Sequence, residues 1–212
     1  MDQVDGSSLE TCSRCQRLVD ERVRIKQSFP DHYAKPVGQW GDRRARILIV
    51  GLAPGLHGAA RTGKAFVGDS SGLFLFSRLF NVGLSDSLDP DKANLLGVKI
   101  TNAVKCYPPS NRPDRNEILN CSIYLKRELD SFASLTDRKN RSVVALGRVA
   151  HHAVYDSLGL KASRFGHGVS AKINPTLSIF SSFHPSRLNV NTKRLTSQML
   201  DSVLLLAKDN AY

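Results

Sequence analysis

Gly51 to Gly72 reads GLAPGLHGAARTGKAFVGDSSG. Directly before it stands Ile47-Leu48-Ile49-Val50, an apolar, β-branched run of the length expected for a buried parallel strand. Six glycines, at 51, 55, 58, 63, 68 and 72, then allow tight turns and close approach of backbone to a ligand. Asp69, Ser70 and Ser71 follow, and Ser70 or Ser71 is expected to cap a helix that begins near Leu73. A strand, a glycine-rich loop and a helix start is where an open α/β sheet places its ligand. Within the loop, Gly58 to Ala65 (GAARTGKA) falls short of a phosphate-binding P-loop. That motif needs Ser or Thr after the lysine and a helix starting there. Here Ala65 follows Lys64, Phe66-Val67-Gly68 is no first helical turn, and the segment stands too far beyond the strand.

Working outward, the chain has 212 residues, enough for one domain with a sizeable core, and 41% of them are hydrophobic, ordinary for a folded protein. No apolar run reaches membrane-spanning length. The opening MDQVDGSSLETC is acidic and polar, unlike a signal peptide, so a reducing, cytoplasmic location is expected. The formal net charge is +11, with a pI near 9.8. That balance favours a polyanionic partner, nucleic acid being the commonest, although a solvated basic surface would have the same composition.

The four cysteines lie at 12, 15, 106 and 121. Cys12 and Cys15 form a C-x-x-C, and disulfides are disfavoured in a reducing compartment. A two-plus-two arrangement therefore points to one four-thiolate site clipping the N-terminal arm, residues 1–40, to the body. Sulfur ligation suits zinc or an iron–sulfur cluster, and on general grounds zinc is the commoner.

The remaining pattern alternates strands with helices. Helices are predicted over Cys15–Gln27, 71–82, 114–135, from Gly147 through Leu158, and over 191–208. Strands are predicted over 46–51, 97–104, 142–146, 169–173 and 177–183. Leu73, Phe76, Leu79 and Phe80 stand at helical spacing and read as core. His32, Tyr33 and Trp40 read as packing or surface residues. The alternation predicts a parallel-type sheet with helices on both faces. Asn102, near the end of its strand, is either a satisfied core amide or a group that reads a base. Tyr107 to Pro113 is a rigid loop. Two loops after strands thus bracket the middle of the chain: one carries Asp69, the other His184-Pro185-Ser186, with Arg187, Lys193 and Arg194 nearby as cations suited to phosphate contact.

These motifs resemble the uracil-DNA glycosylase superfamily, and within it family 5, the type B enzymes with an iron–sulfur cluster. Residues 51–72 reproduce that family's GLAPG…HGA-x-RTG-x-x-F-x-GD-x-SG motif, and His184 to Thr196 its HPS…N-x-x-T-x-RLT motif. Thr101 to Pro109, Asn111-Arg112-Pro113 and Asn120-Cys121 resemble its cluster-binding segment. Leu146-Gly147-Arg148 with Ala150-His151, and Phe165 to Gly168, match as well. The likeness runs from Cys12 to about Thr196. One departure is Tyr107, where a basic residue is expected in many relatives and where a phosphate contact would be weakened.

The resemblance implies a single αβα three-layer domain spanning 1–212, with a central, mostly parallel four-stranded sheet. It also implies a [4Fe-4S] cluster on Cys12, Cys15, Cys106 and Cys121, in place of zinc. The implied partner is DNA containing deaminated bases, met by a monomer that associates with the nucleoid through that DNA. Asp69 and His184 are the implied catalytic pair. Gly51, Ala53, Gly55, Phe66 and Asn102 are the implied base pocket, with Phe66 stacking on the flipped base. Ser186, Arg187, Leu188, Lys193 and Arg194 are the implied DNA contacts. A glycosidic bond inside stacked DNA is out of reach, so the nucleotide must be extruded. Leu188 either wedges into the vacated stack or packs within its loop. His184 is placed to hydrogen-bond the base carbonyl as negative charge develops there. Ala53 stands where many superfamily members carry a polar, water-activating residue. That leaves Asp69 as the nearest carboxylate to orient water or stabilise the sugar cation, unless it serves only as a helix cap. Relatives of this type accept hypoxanthine and xanthine as well as uracil. Composition and cysteines alone would also suit a non-catalytic nucleic-acid binder with a structural metal. His57 raises a relative that links covalently to single-stranded DNA, but the insertion of that group is absent.

Overall fold

The structure, a computed structural model, describes residues 8–133 and 139–212. The last two positions of the helix predicted over 114–135, and the first seven of the arm, lie outside the described residues. Six strands form one sheet: β1 (Trp40–Gly41), β2 (Ile47–Gly51), β3 (Val98–Asn102), β4 (Arg141–Leu146), β5 (Ser170–Asn174) and β6 (Leu177–Ser182), in the spatial order β1-β3-β2-β4-β6-β5. The four central strands are parallel and the two edge strands antiparallel. The expected four-stranded sheet is therefore the parallel centre of a six-stranded one. The predicted strand near 169–173 is the edge strand β5. Two residues at Trp40–Gly41 are too few to show a period.

Ile47, Leu48, Ile49 and Val50 have no exposed surface, as a parallel strand covered on both sides requires. Their side chains alternate. Ile47 and Ile49 join Ile100, Val144 and Phe180 under α3 (Ser70–Asn81) and α7 (Ser197–Ala211). Leu48 and Val50 join Val143 and Ile179 under α4 (Arg115–Ala133) and α5 (Arg148–Ser157). Three layers result. The N-terminal α1 (Gln16–Ser28) buries Leu18 and Ile25, close to its predicted span, and the one-turn α2 (Ala59–Thr62) lies within the glycine-rich loop.

Helix α3 departs from its predicted face. Asp69, not a serine, caps it: the carboxylate accepts the Gly72 N–H at 2.9 Å. The buried residues are Gly72, Leu75, Phe76 and Leu79, whereas Leu73 and Phe80 are exposed. Leu73 to Phe76 is apolar at four successive positions, so spacing alone does not choose the inner face.

The predicted helix 191–208 is two helices. Ser186 caps a short α6 (Arg187–Asn191) by accepting the Asn189 N–H, and Thr196 caps α7 by accepting the Met199 N–H. Between them Lys193 takes a left-handed backbone, φ 57°, which breaks the helical ladder. Tyr107 is buried beside Ile25, Ala34, Ala60 and Leu56. It is a packing residue rather than a weakened phosphate contact.

Candidate active site

The glycine-rich loop leaves the C-terminal end of β2, where the chain first turns to β3 on one side and later to β4 on the other. That crevice is the ligand position of an open α/β sheet. A cleft of about 810 Å³ opens there. Asp69 and His184 both line it, from opposite ends of the sequence, together with Ala53, Gly55, Phe66, Asn102, Ser186 and Arg187.

Close backbone approach explains the glycines. Gly51 pairs in register with Asn102. A β-carbon on Gly51 would collide with the Asn102 amide oxygen and come within 2.5 Å of the Phe66 ring. Gly51 therefore stands beneath the cleft and lets those two side chains meet over it, rather than lining the cleft itself. Gly55 and Gly58 both face the second oxygen of the Asp69 carboxylate, the one not used in capping. Phe66 is buried and held at φ 61°, a left-handed conformation that costs about 1–3 kcal/mol and persists only where its surroundings enforce it. Gly72 makes room for it, since a β-carbon there would strike the Phe66 carbonyl.

His184 sits 5.8 Å from Phe66, ring centre to ring centre, tilted by 30°. Its turn is pinned by Asn189, whose amide donates to the His184 carbonyl at 2.8 Å. Removal from water pushes its imidazole down to about 4, partly opposed by the Asp69 carboxylate. The imidazole is therefore neutral at physiological pH and carries one N–H.

Arg187 joins the two loops by donating Nε–H to the Ser70 hydroxyl at 3.0 Å. Leu188 is 72% exposed on α6 and makes no part of the cleft. Lys193 and Arg194 are exposed beyond it, with the Arg194 guanidinium 4.7 Å from the centre of the Phe183 ring. His57, Leu73 and Asn111 are among the lining residues that the sequence reading did not single out as pocket groups. Asn111 belongs to the rigid loop and takes φ 56°, and its amide oxygen comes near Gly55. The asparagine between prolines was its only signal.

Behind the cleft, Cys106 and Cys121 are buried with Leu18 and Val104, and Cys15 and Ala53 pack against them. None of the four cysteines is in a disulfide. Cys12, Cys15 and Cys121 all lie within electrostatic reach of Cys106. Asn120 donates to the Cys15 sulfur at 3.5 Å, and Arg22 donates to the Cys12 carbonyl at 2.8 Å. Among the described residues no group of three or more His, Cys, Asp or Glu side chains is arranged to hold a metal ion. Burial pushes the Cys106 and Cys121 thiols up to about 12 and about 11, partly opposed by the Arg22 cation at Cys106 and by Lys105 at Cys121. Cys15, Cys106 and Cys121 thus come from three segments into one apolar pocket, with Cys12 within electrostatic reach, and soft sulfurs of this kind suit zinc or an iron–sulfur cluster. Ala53 touches both this pocket and the cleft, so one wall separates them.

The sequence model of the family described as the uracil DNA glycosylase superfamily matches residues 39–207. The chain is 43% identical over 214 residues to the protein of Pyrobaculum aerophilum named Type-5 uracil-DNA glycosylase, covering 96% of this chain and 90% of that relative. It is 41% identical over 211 residues to the Type-5 uracil-DNA glycosylase of Thermus thermophilus, covering 95% and 94%. Against the Type-4 uracil-DNA glycosylase of Saccharolobus solfataricus it is 32% identical over 153 residues, covering 69% and 63%.

Proposed function

The chain belongs to the uracil DNA glycosylase superfamily, and from that premise we propose that it is a monofunctional, type-5 DNA glycosylase. It flips uracil, and also hypoxanthine and xanthine, out of DNA and hydrolyses the N-glycosidic bond, leaving an abasic site for base excision repair. The convergence of Asp69, His184, Phe66 and Asn102 on one cleft is the observation that carries this reading.

The everted base stacks on Phe66, and the Asn102 amide meets its Watson–Crick edge. As the glycosidic bond lengthens, negative charge grows on the base carbonyl oxygen and cationic character on the sugar. Neutral His184 donates its N–H to that oxygen, a stabilisation worth about 10²–10³ in rate in comparable sites. The free oxygen of Asp69 faces the sugar side. There it orients the attacking water and stabilises the oxocarbenium-like sugar, while the other oxygen keeps its place by capping α3. The Ala53 side chain carries neither oxygen nor nitrogen, so it does not compete with Asp69 for the water. Acceptance of purines is supported by the cleft's volume.

Extrusion costs a few kcal/mol. Arg187, Lys193, Arg194 and the Ser186 turn offset it through phosphate contacts, and exposed Leu188 fills the gap left in the stack. Cys12, Cys15, Cys106 and Cys121 hold a [4Fe-4S] cluster in this reading. When bound, it ties the N-terminal arm to the wall behind Ala53.

Labelled duplexes carrying uracil, hypoxanthine or xanthine, each followed by alkali, test the proposal. Strand scission at all three is expected, with losses of about 100-fold or more for Asp69→Ala and for His184→Ala. Absence of scission at uracil would overturn the activity. Scission undiminished in both variants would overturn the site.

A further inference from the structure

Lys105 is one of the largest fully buried side chains in the protein, 1% exposed. A buried ammonium is costly unless it is paired and its donors are satisfied. All three donors are used. Nζ donates to the Glu128 carboxylate at 2.6 Å, to the Thr101 hydroxyl at 2.7 Å and to the backbone carbonyl of Asn102 at 2.7 Å. Glu128, on α4, also accepts the Thr101 hydroxyl at 2.8 Å and the Gln39 N–H at 3.2 Å.

The position of this network is its significance. The ladder between β2 and β3 ends at the Gly51–Asn102 pair. The next two N–H groups, those of Ala103 and Val104, turn back to the carbonyls of Gly51 and Leu52. Asn102 therefore stands at the point where the chain leaves the sheet, and the ammonium holds its carbonyl there. On the other side, the backbone of Lys105 hydrogen-bonds the Cys121 sulfur, and Cys106 follows Lys105 in sequence.

We infer that Lys105 is a positioning residue for base recognition: paired with Glu128, it fixes the carbonyl of Asn102 and so the direction of the Asn102 amide, joining that setting to α4 and the cysteine pocket. The inference rests on the reading above in which Asn102 meets the flipped base. Lys105 touches neither base nor DNA. Its loss acts only on steps after eversion, and the phosphate contacts are untouched.

Lys105→Met alone leaves Glu128 buried and unpaired and is expected to destabilise the fold, so the informative variant is Lys105→Met with Glu128→Leu, which removes both charges together. That paired variant is expected to unfold cooperatively, to keep its KM for uracil DNA within twofold, and to lose at least tenfold in single-turnover excision rate. Introduced into an Asn102→Ala background it is expected to cost nothing further, because the group it positions is gone. A folded paired variant with an unchanged rate overturns the inference, as does an equal additional loss in the Asn102→Ala background, which marks a general structural role. If Asn102→Ala itself leaves the rate intact, the recognition role of Asn102 falls, and the inference with it. If Asn102→Ala is impaired and the paired variant is not, only the positioning role falls.

Discussion

The carboxylate of Asp69 occupies the space in which a β-carbon of Gly58 would stand. The glycine is thus a template for the carboxylate as much as a hinge. Gly58→Ala is expected to displace Asp69 and slow uracil excision about 100-fold, the scale of a misplaced reacting group. Single-turnover rates beside those of Asp69→Ala check this. A rate near wild type would show that the carboxylate does not depend on that contact.

His184 makes a prediction about pH. Burial lowers its folded-state value to about 4, below the ordinary 6.5. The unfolded chain then binds the extra proton between those values, so this residue's contribution to stability is full above about 6.5 and is lost as pH falls toward 4. Excision is likewise expected to stay level across the range where a free histidine titrates, with an acid limb only near 4. NMR titration of the imidazole and a pH–rate profile measure both. A limb near 6.5 that disappears in His184→Gln would contradict the neutral donor.

The cysteine pocket predicts composition as well as colour. Purified protein is expected to be brown, with iron and acid-labile sulfide in equal amounts. Cys106→Ala should abolish both and lower the thermal midpoint, because α1 loses its tie to the body. Metal analysis returning zinc and no sulfide would replace the cluster with a zinc site.

Leu188 makes almost no contact that folding would miss. Leu188→Ala is therefore expected to alter stability by no more than about 0.5 kcal/mol. It should slow excision from an A·U duplex more than from a G·U duplex, and leave single-stranded substrate unaffected, since only a paired stack needs wedging. Equal effects on all three substrates would assign Leu188 to loop packing.

Arg187 bridges to Ser70 and also carries an exposed cation. Arg187→Ala is expected to weaken DNA binding and to reduce the slope of log affinity against log salt by about 1, the signature of one lost phosphate contact. Fluorescence anisotropy across a salt series measures the slope. An unchanged slope would restrict Arg187 to bracing the two loops.

Local pattern accounts for much of what is found here, and its failures have identifiable causes. Ile47–Val50 and, within the strand expected over Ser142–Leu146, Val143–Leu146 announced themselves because doubly covered strands are apolar for most of their length. The face of α3 did not, because four consecutive apolar residues have no phase. The break between α6 and α7 rests on one left-handed lysine, a conformation with no glycine to advertise it. His57 and Asn111 were visible as residues but not as neighbours, since nothing in their spacing says which way a loop folds over the sheet.

By itself the chain's alternation of apolar runs, its glycines and its motifs determined a βα-layered domain and named Asp69, His184, Asn102 and the cysteines as the residues to watch. Only the folded molecule decided that Asp69 and His184 share one cleft, that Gly51 lies under it, and that Lys105 stands behind Asn102. The reason is physical. Strand and helix character follow from short-range sterics and hydrophobic period, whereas desolvation, pairing of buried charge and the meeting of distant loops depend on atoms brought together only by closure of the sheet.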